Sequence, residues 1–219
     1  MELSHHQGES TMTDPQKRNI DEEKLIQDGY LGLAGSLENS PDPHIRQYAA
    51  HLLGGTGEER ALPNLLQALH DPEKGVRNLA MQALVNLGTP AVDPLLDLLS
   101  DHHWVIRYRA VEALGLIGDP RAVRPLVHLL SDEKDHVRYM AAKGLGRIGG
   151  PEEISSLIHA LSDNNEFVRR SAATALGAVG RGDEQARTAL HRAAERETDP
   201  AVKTAIAGAI RTVGDGQGQ

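Results

Sequence analysis

Val137-Arg138-Tyr139-Met140-Ala141-Ala142-Lys143-Gly144-Leu145-Gly146-Arg147-Ile148-Gly149 is one of six versions of the same phrase in this chain. Val137, Ala141, Leu145 and Ile148 stand at i, i+4, i+8 and i+11, which draws one apolar stripe along a 3.6-residue helix. Close copies run from Ile45-Arg46, Val76-Arg77, Ile106-Arg107 and Val168-Arg169, and a weaker one from Val202-Lys203 to Ile210. The basic residue recurs at 46, 77, 107, 138, 169 and 203, so the spacings are 31, 30, 31, 31 and 34 residues. Between the copies lies a second pattern. Leu65-Leu66, Leu95-Leu96, Leu126-Val127 and Leu157-Ile158 each precede a further Leu and then Asp71, Asp101, Asp132 or Asp163.

Each unit therefore reads as two antiparallel helices, an A helix carrying the Leu pattern and a B helix carrying the Val-Arg pattern. Gly88, Gly118, Gly149 and Gly180 are expected to end B helices, and Pro90, Pro120 and Pro151 to open the next A helices. Neither helix can hide its stripe alone, so the units must stack into one continuous core. The expected fold is all-α, a right-handed α-α superhelix of about six two-helix repeats. Its units fall near 21–57, 58–88, 89–118, 119–149, 150–180 and 181–214. The first A helix is expected from Asp21 to about Leu37, with Ile26, Tyr30, Leu33 and Leu37 on one face. Residues 1–20 are polar and without periodicity and read as a disordered tail, and 215–219 as a flexible one.

Composition agrees with this reading. Among 219 residues there are one Phe, one Trp, four Tyr and no Cys, so aromatics make up 3%. A core of Ala and Leu with so few rings suits helices that approach closely. The absence of cysteine excludes disulfides, thiol nucleophiles and Cys-ligated metal centres within this chain. No apolar run approaches a membrane span, and Met1-Glu2-Leu3-Ser4-His5-His6 lacks the character of a signal peptide, so a cytoplasmic protein is expected.

The recurring Asp, then Val-Arg six residues later, then Ala-Ala-x-Ala-Leu-Gly-x-Ile-Gly, resembles the short HEAT-like repeats of the phycobilisome-lyase family. The resemblance covers about residues 22–214. In that family the Asp caps helix B and the Arg pairs with acids of its own and neighbouring units, which implies a structural ladder here. Deoxyhypusine hydroxylases also use such repeats, and their di-iron centre needs His-Glu dipeptides just after the basic residue. This chain has none, so that activity is not expected. Gly144-Leu145-Gly146-Arg147-Ile148-Gly149 satisfies G-x-G-x-x-G but follows a helix, which points to packing and not to phosphate. No Walker, Gly-x-Ser-x-Gly or His-Glu-x-x-His motif occurs. His128 and His159 occupy equivalent A-helix positions and read as solvated, as does His102-His103. No metal or cofactor is called for.

Charge divides along the same lines. The chain carries −8 overall, yet the six B segments hold 11 Lys/Arg against one acid, Glu112. In solenoids of this type the B helices line the concave surface, so a basic inner face is expected. Tyr48, Tyr108 and Tyr139, three of four tyrosines, follow the basic residue at its two next positions. The candidate partner-binding set is Tyr48, Leu79, Tyr108, Arg109, Tyr139, Met140, Lys143, Arg147 and Arg170, since Tyr, Met and Arg are enriched at interface cores.

The favoured reading is a non-catalytic scaffold that grips an acidic or mixed segment of another protein on this face. The alternative is a bilin lyase or chaperone-like protein, with the same groove holding the carboxylates of a protein-bound tetrapyrrole. Lacking Cys, the chain cannot itself accept the thioether. Nucleic-acid binding is a weaker third reading, disfavoured by the acidic remainder. Ile206, Ile210 and Val213 close the sixth unit without a polar cap, which suggests end-to-end self-association.

Overall fold

A computed structural model describes residues 24–150 and 153–214. The expected tails 1–20 and 215–219, and Pro151, lie outside the described residues. The rest is an α-solenoid of six helix pairs. The pairs are α1 (Gly29–Asn39) with α2 (Pro43–Thr56), α3 (Leu62–Ala68) with α4 (Lys74–Leu87), and α5 (Val92–Asp97) with α6 (Trp104–Ile117). Then follow α7 (Val123–Leu129) with α8 (Asp135–Ile148), α9 (Ile154–Ala160) with α10 (Glu166–Val179), and α11 (Glu184–Arg196) with α12 (Pro200–Gly214). Gly88, Gly118, Gly149 and Gly180 each stand just after a B helix, as expected. Pro90 and Pro120 sit in short 3-10 turns that lead into α5 and α7.

The repeated leucines form the core. Leu65, Leu95, Leu126, Leu157 and Leu190 from the A helices, and Leu53, Leu84, Leu114, Leu145 and Leu176 from the B helices, are fully buried. Truncating one to Ala costs about 2–5 kcal/mol at such sites. Even-numbered helices also pack against one another along the whole stack, while successive odd-numbered helices touch much less. The B helices thus form the continuous layer of the stack, the side expected from the sequence to face inward.

Small residues set that close approach. A Cβ on Gly54 would lie 2.5 Å from Ala83 Cβ, and one on Gly146 would lie 2.9 Å from the Ala175 backbone. The same column holds Gly115 against Gly144 and Gly177 against Ala209, and this accounts for the apparent G-x-G-x-x-G motif. Unit two breaks the column with Val85, and α4 and α6 form the least extensive contact between successive B helices.

Two end-unit expectations are corrected. The first A helix is interrupted: a helical turn at 24–27 is followed by Asp28 and by Gly29 at φ 61°, from which α1 starts afresh. The resulting rotation buries Leu25 beside Leu33 and Leu37 and leaves Ile26 exposed. At the other end, Ile206 and Val213 are buried within the sixth unit, so they are not an apolar end surface.

The polar ladder is sharper than expected. The Arg46 guanidinium donates to Asp71 of the next unit at 2.7 and 3.0 Å, and to the Ser40 and Pro41 carbonyls of its own turn. Arg107–Asp132, Arg138–Asp163 and Arg169–Glu197 repeat this forked pair. The carboxylate always comes from the following unit. Each ladder Asp also accepts from the N–H two residues on, closing the turn before the B helix. One rung is missing. Arg77 reaches only carbonyl oxygens, its Nε is buried without a partner, and Asp101 instead faces His70 at 3.3 Å.

Candidate functional site

The candidate contacts fall at the two positions after each ladder Arg. Successive helical residues are rotated by about 100°, so the two positions stand at different angles to the core. Tyr108, Tyr139 and Arg170 occupy the first position and stay partly exposed. Tyr48, Leu79, Arg109 and Met140 occupy the second. Met140 is only 2% exposed and belongs to the core, and Tyr48 and Leu79, like Tyr108 and Tyr139, are partly buried against the core. Met140 is therefore corrected from a partner contact to a packing residue. Arg109 is likewise no free cation: it donates to Glu112 at 2.8 Å with a side chain 12% exposed.

What remains is a compact cationic cluster. Tyr139, Lys143 and Arg147 form an i, i+4, i+8 row on α8, and Arg170 faces it from α10. A groove of about 520 Å³ between α8, α10 and α12 is lined by these four with Ser171, Thr174 and Thr204. Lys143, Arg147 and Arg170 have no acidic partner among the described residues. Lys143 Nζ stands 5.9 Å from the centre of the Tyr139 ring, and the Arg170 guanidinium 5.3 Å from that of Phe167. Such contacts fix the long side chains while leaving their charge available. Chemically, the groove offers hydrogen-bond donors and positive charge to carboxylates beside the Tyr139 ring.

Phe167 and His136, unlike Trp104, were not among the residues that the sequence brought forward for this face. The three stand in the first turns of α10, α8 and α6, ahead of the ladder Arg. Phe167 is 49% exposed, and the Trp104 and His136 rings lie 5.2 Å apart. The signal was present, because the chain's only Phe and only Trp both stand at the mouths of B helices, away from the Leu/Ala stripe. Burial and the nearby Glu112 push the Tyr108 phenol above its ordinary value, so it stays neutral at physiological pH. Among the described residues no group of three His, Asp or Glu side chains is arranged to hold a metal ion. No helix among them is long and apolar enough to cross a membrane.

Comparison with known proteins follows the repeats. The chain is 34% identical over 91 residues to the phycocyanobilin lyase subunit beta of Pseudanabaena tenuis (strain PCC 7409), covering 42% of this chain and 32% of that protein. It is 32% identical over 85 residues to the phycobilisome maturation protein of Synechococcus elongatus, covering 39% and 40% respectively. The matched segments thus span between about a third and two fifths of the length of these curated relatives. Among solved structures, the CpcE–CpcF complex of the phycocyanin lyase from Nostoc sp. PCC7120 aligns with a TM-score of 0.65 at 25% identity, over 69% of this chain and 99% of that one. A designed armadillo repeat protein aligns with a TM-score of 0.51 at 22% identity, which reflects the fold alone. The profile of HEAT repeats matches residues 32–114, 92–177 and 154–217 and so takes in most of the chain, which belongs to the HEAT-repeat family.

Proposed function

We propose that this protein acts, together with a protein partner, as a bilin-lyase-type repeat protein that holds a protein-borne open-chain tetrapyrrole on its inner face. The observation that carries the proposal is the unpaired cluster Lys143, Arg147 and Arg170 beside the Tyr139 ring, in a chain whose repeats match lyase subunits. The three cations bind and orient the pigment's carboxylates, and the Tyr139 ring packs against its conjugated rings. Charge-assisted hydrogen bonds of this kind contribute about 1.5–3 kcal/mol each. The chain has no cysteine, so a receiving thiol would have to come from the partner.

The plain scaffold reading uses the same groove for an acidic protein segment, and its support is the same cluster without the lyase relationship. Phycocyanobilin titration separates the two. Wild type is expected to shift the pigment's visible absorbance on binding. The triple variant Lys143→Glu, Arg147→Glu, Arg170→Glu is expected to bind at least about 100-fold more weakly at unchanged helical content, since two lost contacts alone account for that factor. Absence of pigment binding by wild type would leave the acidic-segment reading in its place. Undiminished binding by the triple variant would remove the groove from either reading.

A further inference from the structure

A second recess opens next to the cationic groove. Asp135, His136, Tyr139, Asn165 and Phe167 enclose a notch of about 270 Å³ between the first turns of α8 and α10. Tyr139 lines both the notch and the groove, so the two recesses adjoin at its side chain. The Trp104 ring extends the wall by packing on His136. Leaving Phe167 about half exposed here forgoes roughly 1 kcal/mol of burial. In a chain that is 3% aromatic, placing its single Phe and single Trp at this mouth is not explained by core packing.

The lip of the notch is a fixed acceptor. Asp135 Oδ1 accepts from the His136 backbone N–H at 2.8 Å and lies 2.8 Å from His136 Nδ1, while Oδ2 accepts from Asn165 Nδ2 at 2.6 Å. A carboxylate offers about four acceptor sites, so Oδ2 keeps one free, and the side chain is 40% exposed. The volume lies just under the range that suits a drug-sized ligand, which limits the occupant to one or two rings.

We infer that this notch is a second subsite, continuous with the cationic groove through Tyr139, which takes a flat conjugated ring bearing an N–H donor. The ring packs against Phe167, Tyr139 and His136, and its N–H donates to Asp135. This deepens and rests on the tetrapyrrole reading for the ligand's identity: an open-chain tetrapyrrole joins N–H-bearing rings to carboxylates, matching the notch and the groove in turn. The order of features along the inner face then sets the direction in which the pigment lies.

Two probes test the notch apart from the pigment reading. Indole is flat, carries one N–H and has no carboxylate. Its addition to the full chain should shift the NMR signals of His136, Tyr139, Phe167 and Trp104. Phe167→Ala should weaken that binding about tenfold, and Asp135→Asn should weaken it several-fold. Phycocyanobilin should quench Trp104, the chain's only tryptophan, and Phe167→Ala should raise its dissociation constant about tenfold without altering the salt dependence. Indole that does not bind, or binds Phe167→Ala as well as wild type, overturns the notch even when the pigment binds. Indole binding that depends on Phe167, without pigment binding, supports the notch as a ring site and overturns the tetrapyrrole reading.

Discussion

Glu197 stands where four earlier units carry aspartate, and it closes the last rung of the ladder. Its carboxylate receives two guanidinium donors from Arg169 and the backbone N–H groups of Thr198 and Asp199. The hydrogen bonds from Arg169, followed by the backbone donors, outweigh burial and hold its pKa down at about 2. Asp71, Asp132 and Asp163 are also lowered: burial works against them, and the bonds from Arg46, Arg107 and Arg138 prevail. A carboxyl depressed in the folded state stabilises above its unfolded value, and that stability is lost as pH falls through the folded value. Glu197 should therefore contribute fully above about pH 5 and nothing below about pH 2. For Glu197→Gln, the stability deficit relative to wild type should be up to roughly 3 kcal/mol at neutral pH and should shrink toward zero at pH 2. Urea midpoints measured across this range check it. A deficit that does not change with pH would mean that the charge of Glu197 contributes nothing.

At the scale of helices, spacing between neighbours is decided by a few missing side chains. Gly54 and Gly55 are adjacent in α2, yet a Cβ on Gly54 meets Ala83 at 2.5 Å and one on Gly55 meets nothing within 4 Å. Gly54→Ala should destabilise by about 1–3 kcal/mol, because α2 and α4 must separate. Gly55→Ala should stabilise by about 0.5–1 kcal/mol through helix propensity and a stiffer unfolded chain. Thermal melts of the two variants with opposite signs are expected; equal signs would refute the close-approach argument. These elements were legible beforehand because the Leu, Val-Arg and Gly columns each answer to one local rule of periodicity or capping. The break at Gly29 was not, since Ile26 and Leu25 both fit an uninterrupted helix and only tertiary packing chooses between them. The burial of Met140 was hidden for a related reason. Adjacent positions on a B helix differ only by rotation, and which one meets a neighbour depends on how closely Gly54-type contacts draw the helices together.

Across the whole molecule, the site was legible as charge and less so as shape. Lys143, Arg147 and Arg170 stood out because they exceed what the ladder neutralises, whereas Phe167 and His136 came into view only once α8 and α10 were set side by side. The stack has one weak seam. Between units two and three the basic spacing is 30 residues, Val85 replaces the column glycine, and Arg77 lacks its carboxylate. A linear array is stabilised by each unit and by its junctions, so loss of one rung and one close contact lowers the coupling at that point. Units one and two should therefore unfold before units three to six. Trp104 opens α6, on the far side of the seam, and reports on the later block alone. In urea, far-UV circular dichroism, which sums all helices, should begin to fall at lower concentration than Trp104 fluorescence. Superimposable curves from the two probes would show a single cooperative unit and would sink the seam, because two-state unfolding gives the same transition by every measure.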